Sequence, residues 1–431
     1  MSGTTSGVGG TIALVAIVLI ALPSASPAQS GVAESQQHLR DANKAYEAED
    51  FPAMIRSLET ARELNPASLY TRYNLAAAYA RNGDTERALE LLEALVRARV
   101  DYGIADDSDF ASLAGLPRFK TLLQRLVENT TPSGNSRIHY DIQRIDLLPE
   151  GIAWDAASER LFFGSMRTGE VFVLDAEQQL TKFAELLHPT PQAAIGMTVD
   201  SKRDLLWVIG SAFFLTENAR PDAPRWSGVF GFDLKSGEEK FRYLRDDVGF
   251  GFNDVTVAPN GDLYLSGNVI GRVPANGTAI EKLETSQPIF GSNGIVVTPD
   301  GNHLITSSYP ATLAVVRLAD GRTNFLTAPA DIEQYGIDGL YLHAGDLIAV
   351  QQGIKPWRLM RFTLNDTLTA ITAARTLDFA NPLVIATTGA IVGDEILLIG
   401  QGAPVGEMPA HIPEAMREFV GRSLIMTAPL D

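Results

Sequence analysis

Four residues with oxygen-bearing side chains stand at the same place in a repeated phrase of the sequence. They are Glu150, Asn253, Asn293 and Asp338, and each is followed by a Gly or Asp, a short apolar run and a turn. Two carboxylates and two amide carbonyls, without His or Cys, suit a hard cation, most naturally Ca²⁺, with Mg²⁺, Mn²⁺ or oxygen-ligated Zn²⁺ as alternatives. If the four side chains converge, they predict a divalent-metal site.

The phrase occurs six times, and its second residue falls at 151, 196, 254, 294, 339 and 389. Successive copies are therefore 45, 58, 40, 45 and 50 residues apart, which suits four short antiparallel strands, the unit of a propeller blade. The innermost strands of a propeller run along its central channel, so the first residues of all copies, here called the leading residues, should approach one axis. Ile195 and Thr388 lead the other two copies and are poor ligands. They would leave one side of the ion open to water or substrate.

The predicted fold is an all-β six-bladed propeller with four-stranded blades, preceded by a small all-α domain. The predicted boundaries are a signal peptide at 1–28, a tetratricopeptide-like helical domain at 33–128, a linker at 129–137 and the propeller at 138–431. The strands before the first copy and after the last should share one blade, because an open sheet edge invites aggregation. A loop insert at 213–226 and a short helical turn at 413–419 are expected within the propeller.

The helical domain is predicted from the pattern of Leu69 to Val100, which has the small-and-aromatic spacing of a 34-residue helical hairpin. The segment before it resembles a first repeat. An acidic loop at 101–109 and a capping helix at 120–127 should follow. Two repeats and a cap could either dock a protein partner or serve as a structural addition, and both interpretations remain open.

The first residues look like an export signal. An apolar run from Thr11 to Leu22 precedes the small residues Ser26 and Ala28, and it is short for a bilayer span. A periplasmic or secreted location is expected, with an uncleaved signal as the alternative and the only route to membrane attachment. No Lys or Arg precedes the run, which is a departure from the usual signal.

Composition excludes several classes of function. The chain has 52 acidic and 35 basic residues, a net charge of −17, so nucleic acid is not an expected partner. The absence of Cys excludes disulfides, thiolate zinc sites and cysteine nucleophiles. No Gly-X-Ser-X-Gly elbow and no phosphate-binding loop is present, which argues against serine hydrolase and nucleotide chemistry.

Four phrases together resemble the senescence-marker-protein (regucalcin)/gluconolactonase family of six-bladed propellers, over about residues 140–430. They are Leu148-Pro149-Glu150-Gly151, Phe252-Asn253-Asp254, Ser292-Asn293-Gly294 and Ile337-Asp338-Gly339-Leu340. The resemblance implies a divalent metal held by Glu150, Asn293 and Asp338. It also implies that Asn253 lies near the metal and the substrate, and that the activity is hydrolysis of lactones or related esters.

One position departs from the family. Lactonases that this chain resembles often have an Arg two residues before the Asn that matches Asn253, where it holds the polar groups of a sugar. Here the position is Gly251, between Phe250 and Phe252. A less polar ester or lactone is therefore at least as plausible a substrate as a gluconolactone.

The residues also suggest roles in hydrolysis. A cation would polarise the substrate carbonyl and stabilise the oxyanion. Asp338, or a water that it orients, would be the general base, with Asp254 as the alternative; Asp254 could equally be a further ligand, an orienting residue or a strand-start cap. A second hypothesis is a non-catalytic propeller that binds a ligand or protein partner, with the helical repeats as a docking surface.

Overall fold

The computed structural model describes residues 31–142, 147–190, 192–212, 216, 224–248, 251–383, 386–402 and 422–431. Within them the chain forms two compact units, Ala33–Thr131 and Pro132–Asp431. The predicted signal peptide, the helical turn at 413–419 and most of the insert at 213–226 lie outside the described residues. No helix in the described ranges is both long enough and apolar enough to span a membrane.

The first unit is helical. Its helices are α1 (Gly31–Glu47), α2 (Phe51–Leu64), α3 (Leu69–Arg81), α4 (Thr85–Arg97) and α5 (Pro117–Asn129), with a 3₁₀ helix at Ser108–Leu113. Three helices begin at a side-chain cap: Asp50, Ser68 and Asp84 each accept a backbone N–H from the third residue of the helix they precede. These caps mark the helix starts of the predicted hairpins.

The acidic segment after α4 contains only turns, bends and irregular structure over 101–107, and its last two residues begin the 3₁₀ helix at Ser108–Leu113. Its 3₁₀ helix packs on α3, while α5 packs on α4. Phe110 is buried there with its ring 5.6 Å from that of Tyr73, and Asp109 accepts a 2.7 Å hydrogen bond from Arg81. An apolar anchor and a half-buried ion pair therefore hold the 3₁₀ helix against α3.

The second unit is built of strands. The first twelve are β1 (Ser133–Gly134), β2 (Arg137–Asp141), β3 (Pro149–Asp155), β4 (Arg160–Ser165), β5 (Glu170–Leu174), β6 (Leu180–Glu185), β7 (Ala193–Asp200), β8 (Leu205–Ser211), β9 (Ser227–Asp233), β10 (Glu239–Arg245), β11 (Phe252–Val257) and β12 (Leu263–Gly267). The others are β13 (Gly271–Val273), β14 (Glu281–Lys282), β15 (Ser292–Val297), β16 (His303–Ser308), β17 (Leu313–Arg317), β18 (Thr323–Phe325), β19 (Ile337–His343), β20 (Asp346–Gln351), β21 (Arg358–Leu364), β22 (Ile371–Phe379), β23 (Gly389–Val392), β24 (Glu395–Gly402) and β25 (Arg422–Pro429).

These strands form six antiparallel sheets, each containing four consecutive or ring-closing strands. Blades 1 to 5 begin with β3, β7, β11, β15 and β19, and blade 6 contains β23, β24, β25 and β2. The innermost strands contact one another in chain order, and β23 contacts β3 to complete the circle. The predicted six-bladed propeller with four-stranded blades is confirmed.

The ring closes as the sequence predicts. β2 pairs with β25, with Arg137 opposite Thr427 and Asp141 opposite Leu424, so the two ends of the propeller share blade 6. The predicted linker at 129–137 is not irregular throughout, because β1 lies within it and adds a fifth strand to the edge of blade 5. Gly134 allows this approach: a Cβ there would lie 2.6 Å from Asp378 Oδ1.

The propeller core lies between neighbouring blades. Blades 1 and 2, for example, enclose Phe162, Leu206, Phe230 and Phe232, all buried. Each such side chain contributes about 1.5–3 kcal/mol to folding when it is fully buried. Similar apolar clusters between the other blades hold the innermost strands in place around the channel.

Candidate functional site

The leading residue and its successor form a β-bulge in five of the six innermost strands. The register against the second strand shifts between Pro149 and Ile152, Ala194 and Met197, Phe252 and Val255, Ser292 and Ile295, and Ile337 and Leu340. A bulge bends the strand and re-aims the extra side chain. All four oxygen-bearing leading residues therefore lie at a position where the strand departs from regular pairing.

Successive innermost strands approach one another closely at these bulges. A Cβ on Gly151 would lie 1.8 Å from the Ile195 carbonyl oxygen, and one on Gly294 would lie 2.5 Å from that of Asp338. Only glycine fits such an approach. The glycines of the phrase thus bring the backbones of neighbouring leading residues together around the axis.

The four predicted ligands are buried or contain buried oxygens. Glu150 and Asp338 are only 5% and 6% exposed. Glu150 Oε2, Asn253 Oδ1 and Asn293 Oδ1 are buried atoms with no hydrogen-bond partner in the described part of the chain. Leaving one such acceptor unpaired costs about 1–3 kcal/mol, so three of them favour binding of a group that satisfies oxygen lone pairs. A divalent cation would do so, and the donor set fits one.

The carboxyl groups of Glu150, Asp254 and Asp338 interact electrostatically. Burial raises the pKa of Glu150 well above its ordinary value, and the charges of Asp338 and Asp254 raise it further. Burial, together with the charge of Asp254, raises the pKa of Asp338 to about 7, although a hydrogen bond from the Asn293 side chain opposes the shift. Such a cluster favours either protonation or a bound cation.

Asp254 directly follows the leading residue Asn253, at a position that is glycine in the other five copies. Its Oδ1 accepts a 2.8 Å hydrogen bond from Val255 N–H, and a second backbone N–H, that of Ile295, also bonds to its carboxylate. Burial nevertheless raises its pKa to about 7. The carboxylate is thus held between the innermost strands of blades 3 and 4.

No group of three or more His, Cys, Asp or Glu side chains able to hold a metal is found among the described residues. The candidate donor set is accordingly mixed: the carboxylates of Glu150 and Asp338 with the amide oxygens of Asn253 and Asn293. Amide oxygens are ordinary ligands of Ca²⁺.

Two tyrosine hydroxyls near these carboxyls were not predicted from the sequence. Tyr309 Oη donates to Gln352 Oε1 at 2.9 Å, and the pKa of Tyr309 is raised by burial and by the charge of Asp338. Tyr341 Oη accepts a hydrogen bond from Gly389 N–H at 2.5 Å. The sequence does contain a signal for Tyr341, since the fourth position of the other five copies is Ala, Thr, Val or Ile.

Gly251 has no room for a side chain. Its φ is +95°, and an added Cβ would lie 2.4 Å from Ser227 Cβ and 2.9 Å from Ser211 Oγ. Ser227 Oγ is itself fixed, because it donates to Gly210 O and accepts from Phe252 N–H. An arginine at position 251 would therefore require the local backbone to move.

Gly251→Ala is expected to destabilise the propeller by about 2–5 kcal/mol, because left-handed strain of about 1–2 kcal/mol adds to an overpacking cost of about 1–3 kcal/mol. Gly345→Ala is the matched control: its φ is +87°, but no atom lies within 4 Å of an added Cβ. The urea midpoint of the propeller transition measures both changes. Equal losses in the two variants would contradict the proposed steric restriction at Gly251.

Removing a carboxyl group should stabilise the metal-free chain above neutral pH. The folded pKa of Asp338, about 7, exceeds its ordinary value of 3.8, so the native state binds the proton more tightly than the unfolded state does. Its contribution to stability is therefore lost as the pH rises from about 4 to 7 and is constant above 7. In chelator, Asp338→Asn should melt close to wild type at pH 4 and above it at pH 8.

Asp300→Asn is expected to change the melting temperature in the opposite direction, so that the variant melts below wild type above pH 4. Hydrogen bonds from Thr298 and Asn302 lower the pKa of Asp300 to about 2, so its charged form stabilises the native state above pH 4. Melting curves at several pH values compare the two variants. If Asp338→Asn melts below wild type at pH 8, the buried carboxylate is not a destabilising charge in the metal-free chain.

The protein is thus a six-bladed propeller with carboxylate and amide side chains at the bulged starts of four innermost strands. A family model described as the SMP-30/gluconolactonase/LRE-like region matches residues 148–377, just over half of the chain. The chain belongs to this family. The match contains all four oxygen-bearing leading residues and supports a lactonase-like propeller.

Solved structures similar to this chain include a gluconolactonase from Xanthomonas campestris, the calcium-binding protein regucalcin from Agrobacterium tumefaciens and a luciferin-regenerating enzyme. The gluconolactonase is 14% identical and matches 69% of this chain and 96% of its own, with a TM-score of 0.44. For regucalcin the identity is 16%, the coverages are 68% and 93%, and the TM-score is 0.43. For the luciferin-regenerating enzyme the identity is 13%, the coverages are 69% and 95%, and the TM-score is 0.47. No curated protein matches the chain significantly.

Proposed function

We propose that this protein is an exported, metal-dependent hydrolase of a lactone or related ester, with the metal held at the central channel of the propeller. The observation that carries the proposal is the set of three buried, unpaired oxygens on Glu150, Asn253 and Asn293, together with the buried carboxyl group of Asp338, to which the Asn293 side chain hydrogen-bonds. These atoms come from four blades that the fold brings to one axis. Membership of a family that includes gluconolactonases supports the reaction class.

Glu150, Asn293 and Asp338 would hold the cation, with Asn253 beside it. A bound divalent cation supplies positive charge that stabilises the oxyanion formed when an ester carbonyl is attacked. The chain itself would contribute by holding these side chains in place, through the bulges and the close strand contacts, before the substrate binds. Such preorganisation lowers the cost of reaching the transition state.

Asp338 is proposed as the general base. It would accept a proton from water as the water oxygen bonds to the carbonyl carbon, and the proton would then pass to the alkoxide formed when the ester C–O bond breaks. The product is a single hydroxy acid from a lactone, or a carboxylic acid and an alcohol from an ester. The positive charge of a bound cation would keep Asp338 ionised at neutral pH, so that its carboxylate could accept a proton. Asp254 is the alternative base, and Asn253 would orient the substrate.

A less polar substrate than a sugar lactone is proposed. Gly251 stands where a sugar-binding arginine would be expected, and its surroundings exclude a side chain. Phe252, the next residue, is buried in the apolar core between blades 2 and 3. Position 251 therefore supplies no side-chain cation for a polyhydroxylated ligand.

Two further parts of the proposal concern location and partners. The apolar run at 11–22 supports export to the periplasm or medium, with the signal removed after about residue 28. The helical unit, predicted at 33–128, is proposed as a docking module for a protein partner. Neither role is needed for hydrolysis by the propeller.

A panel of lactones and aryl esters tests the proposed activity. The purified mature chain should hydrolyse at least one of them in the presence of a divalent cation and lose the activity in chelator. Restored activity after the cation is added back excludes simple denaturation. Metal binding without hydrolysis of any substrate would favour a non-catalytic, ligand-binding propeller instead.

A further inference from the structure

The two acidic leading residues are separated by the shortest of the innermost strands. Asp338 belongs to blade 5 and Glu150 to blade 1, and β23 of blade 6 lies between them with only four residues, whereas the other innermost strands have six to eight. Thr388, which leads blade 6, has neither a carboxylate nor an amide. The position of Glu150 relative to Asp338 therefore depends on how β23 is held on its two sides.

On the blade 5 side, a side chain joins the two strands. Tyr341 Oη accepts a 2.5 Å hydrogen bond from the backbone N–H of Gly389, the first residue of β23. A Cβ on Gly339 would lie 2.7 Å from the same hydroxyl oxygen and 2.9 Å from Thr387 O. The tyrosine hydroxyl thus lies among the starts of both innermost strands.

Other neighbouring innermost strands meet differently. Beside Gly151, Gly196 and Gly294, the atom nearest to an added Cβ is a backbone carbonyl oxygen of the following blade. Beside Gly339 it is the Tyr341 hydroxyl. Blades 5 and 6 are therefore joined by a side chain as well as by the close backbone approach to Thr387 O.

On the blade 1 side, a second hydroxyl completes the connection. Thr388 Oγ1 donates a hydrogen bond to the backbone carbonyl oxygen of Glu150. Thr388 is buried, so water does not compete freely for this bond. A continuous series of contacts therefore runs from Tyr341 through Gly389 and Thr388 to the backbone of Glu150.

The Tyr341 hydroxyl adds no negative charge to this region. Burial raises its pKa well above the ordinary value, and the charges of Asp254, Glu150 and Asp338 raise it further. The group remains a neutral phenol beside three carboxyl groups, whereas a further carboxylate at this place would increase their repulsion.

We propose that Tyr341 and Thr388 are positioning residues that set the separation of the Glu150 and Asp338 carboxyl groups, and thereby the affinity of the channel for a divalent cation. The inference rests on the proposed metal-dependent function. Both would act through the backbone next to the ligands, since their hydroxyl groups bond to backbone groups of Glu150 and Gly389. Losing partners that orient metal ligands commonly weakens metal binding by about 10–100-fold.

Calorimetric titration of the full chain with Ca²⁺, and with Mn²⁺ as a second probe, tests this inference. We expect Tyr341→Phe and Thr388→Val to bind about 10–100-fold more weakly than wild type. Thr388→Ser keeps the hydroxyl and should retain wild-type affinity. Tyr243→Phe is the control for loss of a phenol, since Tyr243 lies on the outermost strand of blade 2 and its hydroxyl contacts Gly277 O.

Melting in chelator shows whether each variant is folded, and the Thr388→Val and Thr388→Ser pair decides the result if Tyr341→Phe does not fold. If wild type binds a cation and the Val and Phe variants bind it equally well, the positioning role is wrong and the metal site stands. If wild type binds neither cation, the proposed metal-dependent function fails, and this inference fails with it.

Discussion

Asp338→Ala is expected to lower kcat/KM for the best lactone or ester by about 10³-fold or more, because general base catalysis alone contributes about 10²–10⁴-fold. The substitution also removes one of two buried carboxylates proposed to hold the cation, so the loss should exceed that of the base alone. Initial rates of wild type and variant at saturating metal measure the effect. Asp338→Asn, which retains an amide oxygen, should lose the base but keep part of the metal affinity.

A control variant separates the site from general effects of charge. Asp300→Ala removes an exposed carboxylate from the turn between β15 and β16, on the blade that carries Asn293, and should retain activity. Asp254→Asn decides between the two candidate bases. If Asp254→Asn abolishes hydrolysis while Ca²⁺ affinity is intact, and Asp338→Asn does not, Asp254 is the base and the assignment to Asp338 is wrong.

Ca²⁺ should raise the melting temperature of wild type by about 5 °C at 100 times its Kd. A ligand at this concentration stabilises the native state by about 2.7 kcal/mol, and each kcal/mol corresponds to about 2 °C for a domain of this size. The double variant Glu150→Gln/Asp338→Asn should show no shift, because only neutral amides remain. In chelator at pH 8 the same variant should melt above wild type, since the penalty of two buried charges has been removed.

The matched control is Asp233→Asn/Asp300→Asn, which changes the net charge equally at turns outside the channel. It should keep the full Ca²⁺-induced shift, and in chelator it should not melt above wild type, because hydrogen bonds lower the pKa of both carboxyl groups. A Ca²⁺-induced shift of equal size in the Glu150/Asp338 double variant would mean that the cation stabilises the protein from another place.

Much of the propeller could be predicted because its information is local. Each copy of the phrase combines a short apolar strand with a nearby turn, and its repetition at blade-sized intervals indicates radial symmetry. Symmetry then brings residues as distant in sequence as Glu150 and Asp338 to one channel. Ring closure between β2 and β25 followed from the need to cover a sheet edge, and the structure confirms it.

Features that depend on contacts between distant segments could not be predicted in this way. β1 joins blade 5 because Gly134 can lie against Asp378, a contact between residues 244 positions apart. The role of Tyr341 likewise depends on Gly389, which belongs to the next blade. The phrase shows an aromatic residue at this position, but only the three-dimensional arrangement shows which strand its hydroxyl reaches.

The bulges could be predicted from the sequence only in part. A glycine after the leading residue suggests a close backbone approach, and the structure shows that the pair leaves regular strand pairing in five blades. Asp254 shows the limit of the pattern. The sequence leaves its role open, while the structure places its carboxylate on the backbone N–H groups of Val255 and Ile295.

Anomalous diffraction from a crystal grown or soaked with Mn²⁺, repeated with Ca²⁺, tests the central claim most directly. The account predicts one strong peak in the channel, with oxygens of Glu150, Asn293 and Asp338 at about 2.3–2.6 Å from Ca²⁺ and Asn253 beside it. No peak there, or a peak coordinated only by residues outside the channel, would contradict the assignment of these residues as a metal site.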